Sequence, residues 1–373
     1  MKKLNLMTPI NPLGYGVAGT NILRSLNKSL EVCLFPIGQP EVTTERDGAL
    51  VSEAIYNKGS SDPDSPCVKI WHEFAMHERV GRGKLFAFPF FEITKFDEAR
   101  KKSLGYADSV IVSSEWAANI IRDQVQGLPV HVAPLGVDRS IFNENIVCHN
   151  KGATELKELY FEGKLPQKKF TFFNCGKWEI RKGHDVLLEM FRTAFPSEGD
   201  VRLSMMTHNP FLSEAETREW EVYYSSDPRV NLIGRKNTAA EVAQEMAEVD
   251  CGIFPSRAEG WNLELLEMMS CGKPVIATNY SAHTQYCNDK NCMLIDIDSS
   301  EVANDNKWFR GGVGDWASLE GNAFDQAVSH MRRVYSDWRE GKDLQNKAGI
   351  ETAKSLSWDS TAQTMKEIIY AEN

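Results

Sequence analysis

FPSRAEGWNLELLEMMSCGKPVIATN, residues 254–279, reads as the centre of a strand–helix–strand passage. CGIFP (251–255) ahead of the helical part and PVIAT (274–278) behind it are short apolar runs of strand length. Between them Asn262 is placed to cap a helix running from Leu263 to about Cys271, with Gly272 as its left-handed stop and Pro274 just beyond. On that helix Leu263, Leu266 and Met269 share one face, and Glu264 and Glu267 share another. Glu259 precedes the helix and Glu267 lies inside it, so seven residues separate two carboxylates that could cut a glycoside, hold a ligand or simply face water. The helix N-terminus, with the amides of Gly260, Trp261 and Asn262, is an anion site. A carboxylate just inside it repels phosphate and is better matched to hydroxyls, for which the two of a ribose are the natural partner.

The same alternation runs through most of the chain and predicts α/β layers around parallel sheets. Candidate strands are KLNLMT (3–8), EVCLFPI (31–37), VKIWH (68–72), LFAFPFF (85–91), SVIVSS (109–114) and VHVAPL (130–135), and then FTFFNCG (170–176), VRLSMMT (201–207), VNLIG (230–234), CGIFP and PVIAT. Helical segments between them include TNILRSLNKS, SEWAANIIRDQ, HDVLLEMFRTAF and AAEVAQEMAEV. The polar stretch 143–169 divides the chain into two doubly wound units, and the apolar spacing after Ser357 predicts a terminal helix. At 373 residues two domains are the expectation.

No apolar run approaches the roughly 18 residues that span a bilayer, and the cluster Pro9/Asn11/Pro12/Gly14 interrupts any signal-peptide core, so a cytoplasmic protein is expected. Eight cysteines without a CxxC pair fit reduced thiols and argue against a zinc site, and no metal is expected. The net charge of −10 falls almost wholly on residues 166–373 and does not suit a general nucleic-acid binder. HERVGRGK (77–84) and KFDEARKK (95–102) are local basic clusters, read first as solvated helix faces.

Two further stretches carry chemistry. TPINPLGYGVAGTNILRSL (8–26) places Gly14, Gly16 and Gly19 at a strand-to-helix turn, whose amides could face an anion or whose glycines could merely allow a tight turn. FNCGKWEIRKGHDVLLEMF (173–191) gathers Lys177, Arg181 and Lys182 between a strand end and a helix, an arrangement suited to a diphosphate.

EGWNLELLE preceded by FPSRA and followed by SCGKPVIATN resembles the E-x7-E region of the family 4 type (glycosyl transferases group 1) retaining glycosyltransferases of the GT-B fold. The resemblance extends over the whole chain through GYG, VSSEWAANIIRDQ, VHVAPLGVDRSIF (130–142) and GKWEIRKGHD. It implies two Rossmann-like domains facing across a cleft. Residues 1–165 would be an acceptor domain, joined by a C-terminal helix (about 355–373) that crosses back, and residues 166–354 a donor domain. By position, Lys177 and Lys182 would hold the donor diphosphate, although the first is commonly Arg, and Glu259 would lie near the donor sugar. Gly260 to Leu263 would give amides to phosphate and sugar, Glu267 would bind ribose, and Arg235 would frame the nucleobase.

Many relatives carry a histidine near the donor sugar where this chain has Glu92, and His72 in IWHEF competes for that role, with Glu73 and His77 weaker still. The implied reaction is sugar transfer from a nucleotide diphospho-sugar to a saccharide or glycoconjugate hydroxyl, with retention and without a cofactor. The opening TPINPLGYGVAGTNIL also resembles phage transferases that glycosylate hydroxymethylated pyrimidines, which makes DNA an alternative acceptor contacted by the two basic clusters. Hydrolysis by a carboxylate pair needs separations of about 5 Å or about 6.5–9.5 Å, and has no use for the basic loop at 177–182. A non-catalytic sugar-nucleotide binder is the rival of another class.

Overall fold

The computed structural model describes residues 1–146 and 168–371. The first unit comprises β1 (Lys3–Thr8), α1 (Gly14–Leu26), β2 (Glu31–Pro36), α2 (Glu45–Tyr56), β3 (Cys67–Ile70), β4 (Leu85–Phe88), α3 (Glu98–Leu104), β5 (Ser109–Val112), α4 (Glu115–Gln124) and β6 (Val130–Val132). Its strands form one parallel sheet in the order β2-β1-β3-β4-β5-β6. The second unit comprises β7 (Phe170–Gly176), α5 (His184–Ala194), β8 (Val201–Thr207), α6 (Glu214–Ser225), β9 (Val230–Leu232), α7 (Ala239–Glu248), β10 (Cys251–Phe254), α8 (Leu263–Ser270), β11 (Val275–Thr278) and β12 (Met293–Ile295). These strands pair in parallel in the order β12-β11-β10-β7-β8-β9. Both sheets are the doubly wound α/β arrangement expected. Every residue of β3, β4, β5, β10 and β11 is buried, because helices cover both faces of a parallel sheet.

Strand order reverses between β1 and β3 and again between β7 and β10. Loops leaving the carboxyl ends of strands diverge at such a point and leave a crevice. The sequence motifs fall on these loops: 9–13 and 71–75 in the first unit, 177–183 and 255–262 in the second.

After β12 the chain forms an antiparallel hairpin, β13 (Ser300–Asn304) and β14 (Arg310–Ala317), then α9 (Asn322–Arg339), α10 (Lys347–Ser355) and α11 (Trp358–Ala371). The last helix returns to the first unit and packs on α1. Ser357 caps it, accepting from the Ser360 amide at 3.1 Å. Thr361 Oγ1 donates to the Pro134 carbonyl at 2.7 Å, and the Tyr370 hydroxyl to the Lys3 carbonyl at 2.9 Å. A Cβ on Gly136 would stand 2.2 Å from the crossing backbone at Ser357, which explains a glycine within PLGVD. One apolar cluster runs from Leu6, Ile22 and Phe88 through Phe142 to Leu266 and Met269, so the two units share a core.

Three features differ from expectation. The helix after β1 begins at Gly14, not after the glycine-rich stretch, so Gly16 and Gly19 lie inside it. The hairpin was not anticipated, because SEVANDNKWFRGGVGDWA (300–317) is too polar and glycine-rich to announce strands. On α8 the buried apolar residues are Leu265, Leu266, Met268 and Met269, with Leu263 only half-buried. The boundary expected at 143–169 lies mostly outside the described residues.

Candidate active site

The loops after β7 and β10 are pressed together. Gly183 has φ +74°, and a Cβ there would meet the Pro255 carbonyl oxygen at 2.2 Å. The contact brings the basic loop under Glu259 and builds a row of alternating charges. Lys177 Nζ lies 2.8 Å from Glu179 Oε1, whose other oxygen is 2.5 Å from the Arg181 guanidinium. Arg181 reaches Glu259 Oε2 at 2.8 Å, and Lys182 Nζ reaches Glu259 Oε1 at 2.9 Å. Ser256 Oγ donates to Glu259 Oε1 at 2.8 Å, and Arg181 also donates to the Ala258 carbonyl at 2.7 Å. All but Lys177 are buried. Burial alone would push the Glu259 carboxyl up, but the Lys182 ammonium and Arg181 guanidinium outweigh it and hold the group far below the usual carboxylate range. The same balance brings Glu179 down to about 2, through Arg181, Lys177 and Lys182. Lys182 is opposed by burial and raised by Glu259. Three cations against two anions leave the row with an excess of one positive charge.

Asn262 adopts φ +76° and caps α8, its Oδ1 accepting from the Leu265 amide at 3.2 Å. Its Nδ2 donates to His283 Nε2 at 2.9 Å, while His283 Nδ1 donates to the Thr278 carbonyl at 3.0 Å. Burial lowers His283 to about 4, so the ring is neutral and can accept from Asn262. The Tyr286 hydroxyl lies 3.0 Å from the carbonyls of both Trp261 and Asn262. The turn is thereby fixed with the amides of Leu263 and Glu264 lacking a protein acceptor among the described residues. The carboxylates of Glu264 and Glu267, half-buried on α8, likewise make no hydrogen bond or close ion pair among those residues. Burial, with Glu264 nearby, raises the Glu267 carboxyl well above its usual value.

The opposite wall belongs to the first unit. Glu92 follows β4, and its carboxylate lies 4.0 Å from Arg181. Burial raises it, and the negative charge of Glu259 adds to that against Arg181. His72 follows β3, stacks on Phe74 with ring centroids 4.9 Å apart, and lies 3.5 Å from the Tyr15 hydroxyl. Burial and then Lys177 lower it to about 4, so it is neutral at ordinary pH. Tyr15 donates to the Phe90 carbonyl at 2.7 Å. Direct contacts cross between the walls: Ser113 Oγ donates to the Gly260 carbonyl at 2.6 Å, and a Cβ on Gly260 would meet Phe90 Cβ at 3.0 Å.

Residues 169–306 match the model of the glycosyl transferases group 1 family. Over these residues the chain is similar to the group 1 glycosyl transferases. An uncharacterized glycosyltransferase of Methanocaldococcus jannaschii is 31% identical over 145 residues, which are 38% of this chain and 36% of that protein. The chain thus aligns with little more than a third of that relative's length. Sucrose-phosphate synthase from Thermosynechococcus elongatus superposes with a TM-score of 0.70 at 15% identity, covering all of both chains. Anabaena HepE, in complex with UDP and glucose, superposes with a TM-score of 0.66 at 14% identity, again over both whole chains. The architecture is GT-B.

Within the matched region the structure gathers Lys177, Arg181, Lys182, Glu259 and the 260–263 turn, and sets Glu92 of the other unit against them. Of the three cations Arg181 is the most enclosed, its guanidinium held by Glu179, Glu259 and the Ala258 carbonyl. Arg235 is exposed in the loop after the edge strand β9. At Gly16 and Gly19 the missing side chains serve helix–loop approach: a Cβ would meet the Asn11 carbonyl oxygen at 2.1 Å and Thr8 Oγ1 at 2.2 Å, respectively. Gly14 is exposed at the helix start with nothing near a Cβ. Glu73 is engaged by Arg100 at 2.8 Å and His77 is exposed, so neither joins the cluster. In the two basic clusters Arg82 pairs with Asp64 at 2.9 Å, Arg100 with Glu73 and Asp97, and Lys101 with Glu98. Among the described residues no group of three or more His, Cys, Asp or Glu is arranged to hold a metal ion, and no helix is long and apolar enough to cross a membrane.

Several supporting residues escaped the sequence reading. Glu179 sits inside WEIRKG, between the cations that drew the reading. Arg257 ties Asp185 at 2.7 Å and Glu301 at 2.5 Å, holding the β10 loop to α5 and the hairpin. Nothing in the local pattern marks His283 or Ser281, whose Oγ accepts from the Glu259 amide at 2.8 Å.

Proposed function

We propose that the protein is a retaining glycosyltransferase that moves a sugar from a nucleotide diphospho-sugar to an acceptor hydroxyl. The observation that carries this is the conjunction of Lys177 and Lys182 with a fixed helix N-terminus and, one turn inside it, a Glu267 carboxyl that makes no hydrogen bond or close ion pair among the described residues. The amides of Leu263 and Glu264 and the two ammonium groups would face the diphosphate, and Glu267 the ribose. The difficult step is departure of the diphosphate from an oxocarbenium-like centre. Lys182, held in place by Glu259 before the reaction starts, would stabilise the growing negative charge without reorganising, and this account assigns that task to side chains instead of a metal ion. The departing phosphate would take the acceptor proton on the face it leaves, which gives retention. Glu92 would orient the acceptor or the sugar, and the contacts across the cleft would exclude water.

A saccharide or glycoconjugate acceptor fits best. Phe74, half-exposed and stacked on His72 beside Trp71 and Tyr15, offers aromatic faces of the kind that pack on sugar rings. DNA as acceptor has less support, because much of the basic character at 77–102 is engaged in ion pairs. The HepE complex makes UDP-glucose the first donor to try.

A thermal-shift screen of UDP-, GDP-, ADP- and CDP-linked sugars tests the donor site. A cognate donor at a hundredfold excess over its Kd should stabilise the protein by about 2.7 kcal/mol; stabilisation by none would remove the proposal. Glu92→Ala should then slow transfer severely while leaving donor binding intact and a residual rate to measure, whereas a mere binder would show no turnover to lose.

Donor binding should also depend on pH through Glu267. Its carboxyl is raised in the free protein, and two ribose hydroxyls would favour the ionised form, so binding would lower its pKa and release a proton. Affinity should therefore rise as pH climbs from the usual carboxylate range through Glu267's elevated value, and be lost as pH falls. Titration calorimetry across that window should find the slope in the wild type and a flat profile in Glu267→Gln.

A further inference from the structure

The hairpin β13–β14 belongs to the second unit by sequence, yet its end is built into the first. Trp316 is fully buried among Phe91, Ile93 and Phe96 of the first unit, and its ring packs on Phe309 at 4.9 Å. Its indole Nε1–H donates to the Glu92 carbonyl at 2.8 Å. One residue back, the Asp315 amide donates to Thr94 Oγ1 at 2.9 Å. One further back, Gly314 has φ +73°, and a Cβ there would meet Ile93 Cβ at 3.0 Å and the Thr94 amide at 3.1 Å. On the other side of Trp316 the Ala317 amide donates to the Arg257 carbonyl at 3.0 Å, two residues before Glu259. Consecutive residues of one strand therefore grip the Glu92 segment and the Glu259 segment.

We propose that Trp316 is a positioning residue for sugar transfer: with Ala317 it sets the spacing between Glu92 and the Arg181–Glu259 pair across the cleft. The proposal rests on the transferase reading and on Glu92 acting in it, and adds how Glu92 is held. The rest of its segment is already anchored, by Tyr15 at Phe90 and by Gln124, which donates to the Thr94 carbonyl at 3.0 Å and accepts from the Phe96 amide at 2.7 Å. The Trp316 N–H is the hydrogen bond that fixes residue 92 itself. A catalytic group displaced by about 1 Å can lose on the order of a hundredfold in rate. Loss of this single hydrogen bond should therefore be felt in turnover and not in donor affinity.

Trp316→Phe retains an aromatic ring and removes the donor N–H. Measured with the full-length protein and its cognate donor and acceptor, kcat should fall about 10- to 100-fold, with the donor Kd unchanged. In a Glu92→Ala background the same substitution should add less than about a twofold loss, because the effect passes through Glu92. Thr94→Val, which removes the acceptor for the Asp315 amide without opening the core, should give a smaller loss of the same kind and carries the test if Trp316→Phe does not fold. An unchanged kcat in a folded Trp316→Phe, or an equal fold-loss with and without Glu92, would overturn the proposal. If the wild type turns over no nucleotide sugar, the transferase reading itself falls, and that is seen before any variant is made.

Discussion

Lys182→Met should lose about 10²- to 10³-fold in kcat, the scale seen when one preorganised stabiliser of developing negative charge is removed. The substitution keeps most of the stem volume and deletes the ammonium 2.9 Å from Glu259. A second effect follows from burial. Glu259 would keep Arg181 and the Ser256 hydroxyl but lose one of its two cations, and breaking a buried pair typically costs about 3–5 kcal/mol. Arg181 remains in place, so the lower end applies, and a clear drop in Tm should accompany the kinetic loss. The sign of the pH dependence is fixed by the same contacts. Glu259 has a folded value depressed below its unfolded one, so its contribution to stability is present above the ordinary carboxylate range and fades as pH falls toward the depressed value. In Lys182→Met part of that acid-side slope should disappear, which denaturant titrations at several pH values can measure.

Glu267→Ala should behave in the opposite way toward stability. If Glu267 grips the ribose through two charge-assisted hydrogen bonds, each worth about 1.5–3 kcal/mol, its removal should weaken nucleotide binding at least about a hundredfold. Its carboxyl makes no hydrogen bond or close ion pair among the described residues and is raised by burial, so the ionised form burdens the folded state. A raised folded value means stability that is present at low pH and lost as pH rises through it. Near neutral pH the free variant should therefore melt no lower than the wild type while failing to bind. Glu264→Ala is the control, expected to leave affinity within about twofold if the ribose contact belongs to Glu267. Calorimetric Kd values beside melting curves of the free proteins distinguish the two residues.

The parts of the fold that the sequence announces are those with a strong local signal. Nearly every apolar run became a strand within a few residues of its predicted limits, because parallel strands buried on both faces must be continuously apolar. The α8 cap and stop were legible for the same local reason: Asn262 and Gly272 take the backbone conformations for which their types are suited. The hairpin was not, since its strands are stabilised by docking on residues 91–96 and carry polar residues and glycines of their own. Gly16 illustrates the ambiguity of a motif: spacing alone does not distinguish a glycine that admits a ligand from one that admits Asn11. The candidate site divides likewise. Lys177, Lys182, Glu259 and Glu267 stood out as charges at strand ends and helix starts. Arg257, His283 and Trp316 act through partners tens to hundreds of residues away and leave no periodic or local trace, whereas Glu179 pairs with its near neighbours Lys177 and Arg181.

The most direct test of the central claim is release of nucleoside diphosphate from a panel of nucleotide sugars, followed by chromatography with wild-type protein, Lys182→Met and Glu92→Ala, with and without a saccharide acceptor. The account predicts that one donor is consumed by the wild type, that acceptor accelerates its consumption, and that both variants are severely slowed. No release from any donor by folded wild-type protein, or equal release by Lys182→Met, would contradict it.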